Sequence, residues 1–141
     1  MRILRSVAAI VAGFGFMVLT VIVGTIVGTT LFIPGGMRAA SSGQPSALPI
    51  AYLAVNLLIG AIGAVLGGWL AARFAAFAPY GHAAVLAAVV AALSVQSVVA
   101  GPAGAQPGWY PVATGLIGVG GILLGGKLRA AAATTDGHVV A

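Results

Sequence analysis

Few residues in this chain have the type and spacing to do chemistry. The stretch "GILLGGKL", Gly121 to Leu128, contains G-x-x-x-x-G-K, most of a phosphate-binding loop. Leu128 stands where that loop needs a Ser or Thr to reach magnesium, and the stretch continues an apolar run with no strand before it. In a helix its amides bond the carbonyls four residues back and cannot cradle phosphate. His82 could titrate near neutral pH or bind a metal, but no second His, Cys or carboxylate stands near it, so it reads as an interfacial cap. Asp136 and His138 are two ligands on a polar tail, too few for a metal site. Asp136 is also the only acid, so catalysis by paired carboxylates is excluded by count. Without cysteine there is no thiolate nucleophile, disulfide or Cys-based metal site. The expectation is a protein that is not an enzyme and holds no cofactor and no metal.

What remains are polar residues inside apolar runs, the usual functional pointers in a membrane protein. Asn56, Gln96, Ser97 and Thr114 are these candidates. Either they hydrogen-bond between helices as structural glue, or they line a polar path for a solute. No ionisable residue lies in the middle of a run, which weakens a proton- or ion-coupled carrier. Thr20, Thr25, Thr29 and Thr30 can bond back to carbonyls of their own helix and need no other role.

The elements that must position these residues follow from composition. Hydrophobic residues make up 61% of the 141 and charged residues only 5%, too few to coat a water-facing surface. The mean hydropathy of +1.17 says the same. The net charge of +5 does not mark a nucleic-acid binder, because the cations sit singly or in pairs at the ends of apolar runs rather than on one face. Breakers divide the chain into four spans, about 4–33, 48–73, 82–100 and 109–127, each long enough to cross a hydrocarbon core of ~30 Å. The first run is too long for a secretory h-region of ~7–15 residues. Segment 34–49 reads as an exposed loop and 128–141 as a flexible cytoplasmic tail. Four spans put both termini on one side with Arg2, Arg5, Arg73, Lys127 and Arg129, and leave Arg38 opposite. The positive-inside rule makes the five-cation side cytoplasmic. Tyr52, Trp109 and Tyr110 then fall at the outer boundary, and Trp69, Phe74, Phe77 and Tyr80 at the inner one. The expected fold is an all-α, four-transmembrane-helix bundle of two α-hairpins, N-in and C-in.

Glycine spacing suggests how the helices meet. In "GAIGAVLGGWLAAR", Gly60, Gly63, Ala64, Gly67 and Ala71 fall on one narrow helical stripe. The fourth span carries Gly118, Gly121 and Gly125, and the first Gly13, Thr20, Gly24 and Gly28. Helices in lipid associate through packing, and small residues let their backbones approach. These faces pack either within one bundle or onto a second copy or a larger membrane complex. Gly60, Gly63, Gly67 and Gly68 recur 58 positions later as Gly118, Gly121, Gly125 and Gly126. Such an echo suggests two hairpins related by a parallel repeat about the membrane normal.

With "RSVAAIVAG" in the first span, "LGGWLAARFA" followed by His82 and Ala83, and "PGWYP" before the last span, the chain resembles a broad group of uncharacterised small bacterial inner-membrane proteins with four helices. Members often carry an acidic residue in the first helix, where this sequence has Val, Ile and Thr. The resemblance implies topology and a bacterial source and brings no activity with it. The functional expectation is an accessory or structural membrane protein whose partners are the lipid bilayer, itself or a larger membrane complex. The alternative is a small channel or transporter with a path between the hairpins.

Overall fold

A chain this apolar must satisfy its own backbone where lipid offers no hydrogen bonds, and helices do so segment by segment. The computed structural model describes residues 2–42, 47–75, 77–100 and 106–138. It contains α1 (Arg2–Phe32), α2 (Gly36–Ser41), α3 (Ile50–Phe74), α4 (Pro79–Ala100) and α5 (Trp109–His138). All except α2 are long and apolar enough to cross a membrane. The protein is thus an all-helical four-span bundle.

Local chemistry sets the breaks. After α1, Gly35 and Gly36 both adopt positive φ, 82° and 55°, which Cβ-bearing residues rarely reach. They turn the chain at once into α2, a helical turn and a half where the sequence reads as loop. Pro79 opens α4, where its missing N–H leaves nothing unsatisfied. The residue before it, Ala78, is held at φ 42°, a left-handed conformation that costs an L-residue roughly 1–2 kcal/mol. The start therefore lies at Pro79 rather than His82. At the other end, α5 does not stop near Lys127. It continues to His138, so residues 128–138 are helical, and 139–141 lie outside the described residues. The run "LRAAAATT" contains no Gly or Pro, and alanine is the strongest helix former.

Two antiparallel hairpins, α1 with α3 and α4 with α5, form the bundle. They join along α3 and α5, which run in the same direction and pack extensively. Helix α4 also meets α3, and touches α1 only lightly. No contact joins α1 and α5 among the described residues. The central core is Ala64, Ala71, Ala83, Leu86, Ala87 and Ile122, with Ile10, Phe14 and Met17 of α1 against it. Alanine dominates because the helix axes are too close for larger side chains. A second cluster at the loop end holds Ile33, Tyr52 and Leu53, with Tyr110 packed against it. Tyr52 is therefore buried within the protein instead of lying in a lipid-facing aromatic belt.

Candidate functional site: glycine seams and the grooves beside α4

The seams are built from positions where a side chain has no room. Gly13 of α1 and Gly67 of α3 face each other: a Cβ on Gly13 would lie 2.6 Å from the Gly67 carbonyl oxygen, and one on Gly67 would lie 2.8 Å from that of Gly13. Real Cβ atoms essentially never come within 3.0 Å of such an atom. Further toward the loops, Gly63 faces the methyl of Thr20 at 3.1 Å, Gly24 faces Ile59, and Gly28 faces the ring of Tyr52 at 3.3 Å. Across the α3–α5 seam, a Cβ on Gly121 would meet Ala64 at 2.8 Å and the Ala61 carbonyl oxygen at 3.3 Å. One on Gly125 would strike the Val65 carbonyl and lie 2.8 Å from the Trp69 amide nitrogen. Gly118 is looser, 3.4 Å from Val90 of α4.

Gly60 departs from the expected stripe. Nothing lies within 4 Å of a Cβ built there. It lies about 60° around α3 from Gly63.

A single stripe on α3 also misses half of the contacts. Gly68 lies 100° from Gly67 and faces α5, where its Cβ would strike the backbone of Ile122. Gly126, its echo, faces Ala83 of α4, and Gly115 faces Ser94 at 2.8 Å. The usable signal was adjacency: a Gly-Gly pair gives a helix two small faces, which one with neighbours on both sides needs. The echo does not follow a parallel repeat of hairpins. Gly63 and Gly67 pack on the hairpin partner α1, whereas Gly121 and Gly125 pack across hairpins on α3. The recurring glycines thus meet an antiparallel helix in one case and a parallel helix in the other.

The polar candidates are scattered. The Thr114 hydroxyl donates to the Tyr110 carbonyl at 2.9 Å, and Ser94 to Val90 at 2.8 Å, each within its own helix. Thr20 and Thr30 do the same to Phe16 and Ile26. Asn56 and Gln96 make no hydrogen bond among the described residues of this one chain. Asn56 lies between Tyr52 and Ile59, which pack on Gly28 and Gly24, and glycine offers no side-chain partner. Gln96 is exposed and points away from the bundle.

Ser97 and Thr114 do come together. With Ser94, Gln106 and Tyr110 they line the loop end of a groove of about 380 Å³ between α1 and α4. Its deeper wall is apolar, formed by Phe14, Met17, Val18, Val90 and Leu93. A second groove, about 570 Å³, lies between α4 and α5 and is lined by Val95, Val98, Leu116 and Gly120 among others. Both lie where α4 is least covered: from Ala92 to Val99 every residue except Ser94 is exposed.

At the terminal end, His82 is buried, and its Nδ1 lies 3.1 Å from the Ala78 carbonyl oxygen, to which a protonated Nδ1 donates. Its ring meets Phe77 edge-on at 5.4 Å. The histidine thus fastens the strained residue before Pro79, a contact within one turn. No group of three His, Asp or Glu side chains gathers as for a metal among the described residues. Gly121, Gly125 and Gly126 of the G-x-x-x-x-G-K stretch are helical and face α3 and α4. Arg73 stacks over Trp69 at 5.2 Å, and Arg129 encloses its Nε in the bundle end without a hydrogen-bond partner among the described residues.

No protein-family model matches this sequence, and no curated protein or solved structure matches it. The likeness to small four-helix inner-membrane proteins rests on the stretches quoted above alone.

Proposed function

We propose that this chain is a structural or accessory protein of the bacterial cytoplasmic membrane, N-in and C-in, without catalysis. Its glycine faces lock its own helices together, and contact with another protein runs through α4. The observation that carries the reading is the contrast along the chain. Gly13, Gly67, Gly68, Gly121 and Gly125 are enclosed by neighbouring helices, whereas α4 from Ala92 to Val99 is left exposed with Gln96 on it. A polar amide facing hydrocarbon costs free energy until it is hydrogen-bonded. A protein partner supplies that bond, and lipid chains do not.

The experiment is purification in mild detergent followed by mass measurement of the intact assembly. The reading expects a defined oligomer or complex that Val99→Trp disrupts while helical content is kept. A lone monomer in detergent and in the native membrane would count against it.

The groove between α1 and α4 favours a second reading, a small channel or transporter with a path between the hairpins. Ser97 and Thr114 line its mouth, but Phe14, Met17 and Val90 close its depth with apolar side chains. This reading requires solute flux in proteoliposomes that falls when Ser97 is changed to Leu.

A further inference from the structure

The exposed side of α4 has an order that simple lipid contact does not require. Val85, Val89, Ala92, Gln96 and Val99 follow one another at intervals of four, three, four and three residues. That interval keeps a seam facing a partner helix in a coiled coil. At 100° per residue the five fall within an arc of about 80°. All five are exposed, Val85 by 51%, Val89 by 42% and Val99 by 79%. Ala88 and Ala92 leave the face shallow enough for a close approach. Neither groove beside α4 includes Val85, Val89, Ala92 or Gln96 in its lining. Of the five only Val99 lines a groove, the one between α4 and α5, so the face borders that groove at its loop end and is otherwise turned outward.

We propose that this face is a homotypic interface, with α4 of a second copy of this chain packed on it in a parallel two-fold dimer. The proposal rests on the accessory reading above and names the partner. Three arguments select a second copy. Membrane insertion gives every copy the same orientation, so two α4 helices meet parallel and Gln96 meets Gln96 at one depth. A carboxamide has donors on its nitrogen and an acceptor oxygen, so two of them satisfy each other, which few identical side chains can do. The face carries no charge, so self-apposition costs no repulsion, and a single polar residue in an apolar seam fixes register between like helices.

The chain has no cysteine, so single introduced thiols report contacts without background. Ala92→Cys, Val99→Cys and, as an exposed control on α1 away from both grooves, Leu31→Cys are each reconstituted as the full chain in phosphatidylcholine vesicles and oxidised briefly. A disulfide needs Cβ atoms near 3.8 Å, so Ala92→Cys and Val99→Cys cross-link roughly tenfold or more faster than Leu31→Cys if the interface is right. Gln96→Leu in the Val99→Cys background shifts the monomer–dimer equilibrium toward monomer by about threefold, the worth of one average interhelical hydrogen bond. Gln96→Asn restores most of it, an outcome that a change in apolar packing alone would not produce.

Equal rates at all three positions, or monomer at every protein-to-lipid ratio, overturns the proposal. If the purified chain is monomeric but joins a different protein through α4 in its own membrane, the second-copy proposal falls and the accessory reading stands. If no assembly forms in either setting, both fall. Circular dichroism of each variant confirms that the helices are intact.

Discussion

The two places where the hairpins meet differ in kind. Along α3 and α5 the helices touch backbone to backbone, with Gly68 on Ile122 and Gly125 on Val65. Between α1 and α4 the groove's deeper wall carries Phe14, Met17, Val90 and Leu93, and a volume of about 380 Å³ remains open. Both contacts are apolar and both lie in the membrane-spanning region, so hydrophobicity does not distinguish them. Side-chain size does. In lipid there is little hydrophobic drive to pull helices together, and the gain comes from dispersion contacts that fall away steeply with distance. Glycine on both sides allows that contact, and larger side chains such as Phe14, Met17 and Leu93 hold the helices apart. This also explains why the closest seam joins helices far apart in the sequence.

The contrast can be broken most severely at Gly125. Gly125→Leu places a four-carbon side chain on the Val65 carbonyl, and we expect the bundle to lose cooperative thermal unfolding in detergent, followed by circular dichroism. Next comes Gly68→Ala, where a single methyl would strike the backbone of Ile122. The cost should be near ~3 kcal/mol, the upper end of ordinary overpacking, measured by titration with a denaturing detergent. Gly60→Ala sharpens the comparison from the other side. With nothing within 4 Å of its Cβ, the change should stabilise the helix by roughly 0.5–1 kcal/mol, and the same titration should shift in the opposite direction. Smallest is Thr114→Val at the groove mouth. Its hydroxyl bonds only the Tyr110 carbonyl within α5, so stability should change by less than about 0.5 kcal/mol. If Gly68→Ala instead stabilised the protein as Gly60→Ala should, helix propensity rather than the close approach would set the tolerance of these positions.

Much of the fold is legible in the sequence. Four apolar runs between breakers give four helices, because lipid leaves the backbone no other partner. Pro34 with Gly35 and Gly36 marks the end of α1, whereas the sequence reading begins the third span at residue 82, three residues past the Pro79 where α4 starts. Where sequence reading extends less far is in direction around the helix. It gathers Gly60 with Gly63 and Gly67 because all three share a stripe, yet only the latter two meet α1. It passes over Gly68, Gly115 and Gly126 as packing positions, though each faces a neighbour. It likewise groups Asn56 and Gln96 with Ser97 and Thr114, although only the last two share a groove.

The sequence by itself determined that the chain enters a membrane, how many times it crosses, and that its helices carry small faces. These are properties of single segments, set by hydropathy, breakers and side-chain size, and each can be read one helix at a time. The tertiary structure alone decided which small face meets which helix, that α3 has two such neighbours, and that Gln96 of α4 is left uncovered. The reason is that contact between segments depends on their relative rotation and tilt. Several pairings of the same glycine stripes satisfy local chemistry equally well, and only their simultaneous packing selects one.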